Sequence, residues 1–306
     1  MTRVIEHHAP FDLRNQNHYF GGWPVLVDTP ERYQLVMAFP VDGWKGSVAV
    51  ALTQTAAGQL TAEAFGTADG AVAIRQALSV LSLDGDEADW TGVGQRDQVI
   101  GELQHKYQFL RPVLFHSPYE AAAGFVIGQR VSVKQRQMLQ QQLADQFGDK
   151  ITIEGRKFAA FPIPQGLVQI TSFPGLSEIK IGRLHGVARA ALAGQLDRAR
   201  LRAMPIETVL TELQAIDGIG PFYAQGILFR GAGIVDEITD DNLTKHACQR
   251  AYKLTHLPSQ AELIHIAERW RPYRMWCEVL LHVWLRRESA CLNVIDDHDA
   301  IRRQSL

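Results

Sequence analysis

Two adjacent carboxylates, Asp240 and Asp241, stand directly before a helical pattern that covers residues 242–254. A carboxylate at the start of a helix usually caps it, because its oxygens accept hydrogen bonds from the amides of the first turn. The same group can serve in catalysis, because a fixed anion stabilises positive charge that develops in a transition state. The acidic pair taken alone is compatible with both roles.

A second candidate site lies about 20 residues before the acidic pair, where the turn Gly218-Ile219-Gly220 joins two helical patterns and Pro221 opens the second. Glycines permit a tight turn that larger side chains would block. Ile219 can pack between the two helices, so that the turn amides and those of the next helix point outward and form an anion site. Taken alone, the turn is equally typical of an ordinary helical hairpin.

These residues need elements that position them, and the hydrophobic pattern predicts two kinds of region. Residues 1–111 are expected to form an α+β domain, an antiparallel sheet with helices. Its predicted strands and helix are 33–39, 45–53, 59–65 and 71–83. Residues 112–306 are expected to be all-α, as two helical subdomains that flank an active-site cleft. Capping boxes are predicted at Ser117, Ser132 and Ser259.

Composition restricts the possible functions. Lys plus Arg is 31 against 33 for Asp plus Glu, a formal charge of −2, so a broad basic surface for nucleic acid is not expected. Any contact with DNA must then come from a local patch or from backbone amides. The three dispersed cysteines favour reduced thiols over disulfides or an iron–sulfur cluster. Without a signal-peptide or membrane pattern, we expect a cytoplasmic monomer, nucleoid-associated if the source is prokaryotic.

Several segments in the right order resemble the helix-hairpin-helix DNA glycosylases. Residues 213–220 with the helix after them, and Thr239-Asp240-Asp241-Asn242-Leu243, resemble the superfamily in general. Residues 119–133, 161–165 and 267–284 are similar to the 3-methyladenine DNA glycosylase II branch. The resemblance covers residues 112–286 and implies base-excision repair. Such an enzyme flips a damaged base out of duplex DNA and hydrolyses its N-glycosidic bond.

The resemblance implies that Asp241 is the catalytic carboxylate, with Asp240 as the fallback. Its anion would stabilise the oxocarbenium charge that develops on the deoxyribose and would orient the attacking water. Phe222 stands where lyase members of the superfamily carry a nucleophilic lysine. Because phenylalanine cannot form a Schiff base, the expected product is an abasic site in an unbroken strand.

Gln129 and Arg130 occupy the position that the family uses for its intercalating wedge. This position is usually apolar in the branch, so Arg130 is a departure. An arginine can stack on bases and pair with phosphate. An ordinary surface arginine is the alternative interpretation.

By the same resemblance, Phe222 and Trp284 are expected to line the base pocket, where electron-rich rings favour a cationic methylated purine. Trp284 also continues an apolar helical stripe, so a core position is the alternative for it. Gly226 and Asn242 stand where the branch carries tyrosines, which implies a less aromatic and roomier pocket.

No cofactor is expected to be required, although the resemblance implies that the backbone carbonyls of Gln214, Ile216 and Ile219 could hold a monovalent cation, Na⁺ or K⁺. The histidines, His282 among them, show no zinc spacing and are interpreted as surface or core side chains. The expected partner is duplex DNA containing damaged bases, with no membrane association.

Two other functions remain open. An oxidised-base glycosylase is disfavoured by Phe222 and by the cysteine pattern. A non-catalytic helix-hairpin-helix DNA-binding protein would use the glycine turn alone, and Asp241 would then be only a cap.

Overall fold

The computed structural model describes residues 1–5, 10–84 and 89–291, without the side chains of Gly21 and 288–291. The strands, β1 to β7, are Thr2–Ile5, Val25–Asp28, Arg32–Pro40, Ser47–Thr55, Leu60–Gly66, Lys150–Ile153 and Arg156–Ala159. The α-helices, α1 to α14, are Leu13–Gln16, Gly70–Val80, Trp90–Arg96, Gln98–Lys106, Pro118–Gly128, Val133–Phe147, Pro164–Leu167, Glu178–Leu192, Arg198–Ala203, Ile206–Gln214, Pro221–Gly226, Asn242–Ala251, Gln260–Ala267 and Arg274–Cys291. Short π-helical segments cover Asn17–Gly21 and Ile227–Ala232, and a 3-10 turn covers Glu268–Trp270.

The chain divides into two compact units. The described residues of the first unit are 1–5, 11–84 and 113–233, and those of the second are 10, 89–112 and 234–291. Each unit therefore combines segments from both sides of residue 112. The domain boundary that we expect at that residue stays a prediction. No helix in the described ranges combines the length and the apolar character needed to cross a bilayer.

The first unit contains an antiparallel sheet in the order β1-β5-β4-β3-β2. The three predicted strands correspond to β3, β4 and β5, and the predicted helix corresponds to α2. Side chains alternate between the two faces of the sheet. Leu35 and Met37 face the core that α2 covers, whereas Val36 faces the opposite side. The antiparallel sheet with helices is confirmed.

The expectation of an all-α region after residue 112 is wrong in one place, because β6 and β7 form an antiparallel hairpin there. Its apolar residues Ile151, Ile153 and Phe158 pack with Val36 and the neighbouring side chains on the second face of the sheet. That apolar face needs a cover, and a short hairpin supplies it. The rest of the region is helical, so it is mostly rather than entirely α.

Serine caps begin the helices that carry the site in the first unit. The Ser117 side chain accepts the Glu120 amide at 3.1 Å at the start of α5, and Ser132 accepts the Gln135 amide at 3.2 Å at the start of α6. The Glu120 carboxylate contacts His116 at 3.2 Å. A reciprocal capping box forms in the second unit, at Ser259.

In the second unit, a buried carboxylate ties the helices together. Asp97 caps α4 and accepts hydrogen bonds from the Tyr252 hydroxyl at 2.8 Å and from the Trp270 indole at 3.3 Å. These bonds link the end of α12 and the 3-10 turn to α4, while α12 packs along α14. The thiols of Cys248 and Cys277 are free and buried in this unit.

Candidate functional site: a glycine hairpin and a carboxylate cluster

The glycine turn joins α10 to α11 in the first unit. Gly218 adopts φ +84°, the left-handed conformation that favours glycine, and a Cβ there would lie 2.5 Å from the Arg183 side chain. Ile219 is only 4% exposed, so it is held inside the hairpin. Gly220 is the N-cap of α11 and provides no capping side chain, and a Cβ at this position would meet nothing within 4 Å. The first-turn amides therefore lie beside open space, as an anion site requires.

The two residues predicted to form the wedge lie in the short turn between α5 and α6, and one of them is hydrogen-bonded to the glycine hairpin. Gln129 donates to the Gly218 carbonyl at 2.8 Å and accepts from Arg183 at 2.8 Å. Arg183 also contacts Asp217 at 3.4 Å. Arg130 is exposed and has φ +59°, which is uncommon for a residue other than glycine. The fold therefore holds Gln129 against the hairpin and presents Arg130 to solvent.

The proposed cation ligands lie in the same turn. The Ile216 carbonyl accepts the Ile219 amide at 3.0 Å. A carbonyl oxygen has a second lone pair, so this bond is compatible with a cation ligand. The monovalent cation stays a prediction.

The two candidate carboxylates in the second unit have different surroundings. Asp240 forms an ion pair with Lys245, Oδ1 to Nζ at 2.6 Å. Asp241 is half-buried and caps α12, where its Oδ1 accepts the Thr244 amide at 2.8 Å. Its Oδ2 lies 2.5 Å from the Thr239 hydroxyl and 3.0 Å from the Thr244 hydroxyl. Asp241 is therefore held by hydrogen bonds from Thr239 and Thr244.

Electrostatics keep Asp241 ionised. Burial favours its neutral form, but the charge of His282 and hydrogen bonds from Thr239 and Thr244 outweigh burial, so the pKa of Asp241 is lowered from its usual value. Hydrogen bonds to a charged form stabilise that form. Asp241 is therefore an oriented anion at neutral pH, which is the state that stabilises a cationic transition state.

No family model matches the chain. A DNA-3-methyladenine glycosylase of Bacillus subtilis is 24% identical over 207 residues, which are 66% of this chain and 68% of the relative. The 3-methyladenine DNA-glycosylase of Archaeoglobus fulgidus superposes with a TM-score of 0.72 at 20% identity, covering 95% and 99% of the two chains. The 8-oxoguanine glycosylase/lyase of Clostridium acetobutylicum, in complex with DNA, gives a TM-score of 0.67 at 14% identity over 94% and 98%.

The chain has the helix-hairpin-helix DNA glycosylase fold. The resemblance identified from the sequence is thereby confirmed.

Within this glycosylase fold, the two aromatic residues predicted for the base pocket belong to different units. Phe222, in the first unit, is 42% exposed, so its ring is accessible to a ligand. Trp284 lies on α14 in the second unit and is half-buried, whereas Trp276 and Leu280 on the same helix are buried. Membership of one pocket stays a prediction for both.

Packing explains why residue 226 is a glycine and not an aromatic residue. A Cβ at Gly226 would lie 2.5 Å from the Phe125 ring, so α5 occupies the space that a side chain there would need. Phe125 in turn stacks on Tyr223, with ring centroids 5.0 Å apart. The expectation of a roomier pocket at this position is therefore not supported by free space beside Gly226.

The side chains that surround Asp241 include two residues that are not among the predicted site residues. Glu278 and His282 lie one helical turn apart on α14, and the Thr244 hydroxyl contacts Glu278 at 2.6 Å and His282 at 2.8 Å. Thr239 contacts both Asp241 and Glu278. The spacing of Glu278 and His282 is the sequence pattern that indicates this cluster, because residues at i and i+4 share one helix face.

Proposed function

We propose that the chain is a monofunctional DNA glycosylase that removes alkylated bases of the 3-methyladenine type from duplex DNA. Its partner is damaged duplex DNA, which it binds as a monomer. The observation that carries the proposal is the ionised Asp241 carboxylate, fixed at the start of α12 by the Thr239 hydroxyl and the Thr244 amide. The similarity to the Bacillus subtilis glycosylase supports the substrate class.

The chemistry requires few protein groups. The target nucleotide leaves the base stack, and the bond between C1′ of its deoxyribose and the base nitrogen breaks. The electron pair of that bond leaves with the base, which departs readily because an alkylated purine already carries positive charge. Water adds to C1′ and loses a proton to solvent. Asp241 stabilises the cationic sugar and orients the water.

The two units supply different functions in this proposal. The first unit contributes the amides after Gly220 for a backbone phosphate, and Gln129 and Arg130 for the gap left by the extruded nucleotide. The second unit contributes Asp241. Phe222 has no amine, so no covalent intermediate forms and the strand remains intact. This distinguishes the proposal from an oxidised-base glycosylase with lyase activity.

The test is base excision from methylated duplex DNA under single-turnover conditions, with abasic sites revealed by alkaline cleavage. Asp241→Asn keeps the cap, because asparagine caps helices as well as aspartate, but removes the charge. We expect its excision rate to fall by about 100-fold or more, with unchanged DNA affinity. Asp240→Asn is the matched control and should keep wild-type excision. Equal rates for the wild type and Asp241→Asn would refute the proposal.

A further inference from the structure

Two carboxylates in the second unit share the hydroxyl groups of two threonines. Asp241 and Glu278 both contact the hydroxyls of Thr239 and Thr244, and Glu278 is only 4% exposed. One carboxylate oxygen of Asp241, one of Glu278 and one ring nitrogen of His282 lie within 4.8 Å of one another. The two hydroxyls bridge the carboxylates, so hydrogen bonds already connect the groups.

Each hydroxyl carries one proton, which limits how these contacts can be made. Thr239 Oγ1 contacts a carboxylate oxygen of both Asp241 and Glu278. Thr244 Oγ1 lies 2.6 Å from Glu278 Oε1 and 3.0 Å from Asp241 Oδ2. If both carboxylates were ionised, each threonine would have one close carboxylate oxygen with no proton between the two atoms. Two anions this close also repel each other, which favours a proton on one of them.

One arrangement of the protons places a proton between the two atoms of every contact in this cluster except the longest, which joins Thr244 Oγ1 to Asp241 Oδ2 at 3.0 Å. A protonated Glu278 Oε1 donates to Thr239, whose own hydroxyl donates to Asp241 at 2.5 Å. Thr244 donates to Glu278 at 2.6 Å and accepts from His282 Nε2 at 2.8 Å. All four donors then point along one chain that ends on Asp241, and such aligned bonds strengthen one another.

The proton belongs on Glu278 rather than on Asp241. Asp241 lies at a helix N-terminus and accepts the Thr244 amide at 2.8 Å, and both features stabilise an anion. Glu278 lies inside α14, away from a helix end, and is almost fully buried. Burial favours the neutral acid.

We propose that Glu278 is a protonated positioning residue that acts through the Thr239 hydroxyl to orient and stabilise the Asp241 carboxylate. The inference rests on the proposed function for its catalytic consequence. The protonation of Glu278, in contrast, is a property of the protein alone.

The first experiment therefore needs no substrate. The infrared difference spectrum of wild type minus Glu278→Gln should contain the carbonyl stretching band of a neutral carboxylic acid, and this band should be absent from wild type minus Asp241→Asn. A spectrum that shows only carboxylate bands for Glu278 would overturn the proposal, whatever the activity of the protein.

The second experiment measures single-turnover excision and DNA affinity separately. Glu278→Gln keeps a donor to Thr239 and should excise within about 3-fold of wild type. Glu278→Ala and Thr239→Val break the chain and should excise on the order of 10-fold to 100-fold more slowly with unchanged affinity, whereas Thr239→Ser should restore the rate. Thermal unfolding identifies a variant that fails to fold. If a Glu278 variant fails to fold, the comparison of Thr239→Ser with Thr239→Val decides the test. Equal loss in Glu278→Gln and Glu278→Ala would overturn the proposal.

The two proposals fail in different ways. If the wild type excised no alkylated base, the proposed function would fail, but the infrared band would still decide the state of Glu278. If the wild type excised normally and the band were absent, only the positioning role would fail.

Discussion

At the residue scale, the same side-chain type has different chemistry in different surroundings. Asp240 and Asp241 are neighbours, yet Lys245 neutralises the first while hydroxyls and an amide hold the second. A lysine in direct contact compensates the charge of Asp240 and lowers its ability to stabilise another cation, whereas the charge of His282 acts on Asp241 across the shared Thr244 hydroxyl. This difference is why we assign the catalytic role to Asp241 and use Asp240 as the control.

The exposed ring of Phe222 gives a second prediction at this scale. Phe222→Leu keeps apolar bulk but removes the ring face that attracts a cation. We expect excision of a cationic lesion to slow by about 5-fold to 30-fold, which corresponds to about 1–2 kcal/mol. Excision of a neutral lesion such as hypoxanthine should change much less. Phe147→Leu, at another exposed phenylalanine, is the control, and an equal loss on both lesions would contradict a cation–π role.

At the element scale, the hairpin between α10 and α11 depends on two glycines for different reasons. Gly218 has a left-handed backbone, and its Cα lies against the Arg183 side chain. Gly220 has φ −85° and ψ 179°, an extended conformation that any residue adopts. Only the first glycine is required by the backbone, and the second leaves the amides accessible.

This difference predicts that alanine at residue 218 affects stability, whereas alanine at residue 220 affects DNA binding. Gly218→Ala should lower the free energy of unfolding by about 1–2 kcal/mol, because alanine disfavours positive φ. Gly220→Ala should change it by less than about 0.5 kcal/mol but weaken duplex binding, because a methyl group would shield the amides. Urea unfolding and fluorescence anisotropy measure the two quantities. A Gly220→Ala variant with wild-type affinity would remove the phosphate-binding role of this turn.

The turn between α5 and α6 supports a prediction about Arg130, which has φ +59°. Arg130→Gly relieves the backbone, so thermal stability should not fall. If Arg130 fills the gap in the base stack, excision from duplex DNA should slow by about 10-fold. In single-stranded DNA the damaged base has no paired and stacked neighbours to be displaced from, so the excision rate of the same lesion should change little. A variant that is equally slow on both substrates would argue against a wedge.

At the scale of the whole molecule, the formal charge of −2 sets how DNA can be bound. Binding through backbone amides and a few cationic side chains releases few counterions. We expect the logarithm of duplex affinity to fall with the logarithm of salt concentration at a slope shallower than about −4. Anisotropy titrations between low and physiological salt measure this slope. A slope near that of strongly cationic DNA-binding proteins, about −7 or steeper, would show a basic surface that composition does not reveal.

The sequence by itself determined three strands of the sheet and the helix that follows them, the glycine hairpin and the position of the acidic pair. These features depend on local patterns: alternation in β3 to β5, serine caps before α5, α6 and α13, and φ-permissive glycine at residue 218. Hydrophobic periodicity and helix capping depend only on residues that are close together in the chain. These elements can therefore be predicted without the tertiary structure.

Only the tertiary structure showed which acid is paired with lysine, that β6 and β7 cover the second face of the sheet, and that Glu278 and His282 surround Asp241. These relations join residues that are distant along the chain, such as Thr244 and Glu278, and they arise when α12 packs along α14. Hydrogen bonding and burial depend on that packing, and these two effects decide the charge of each carboxylate. The identity of the candidate catalytic residue was therefore readable in the sequence, whereas the groups that tune it were not.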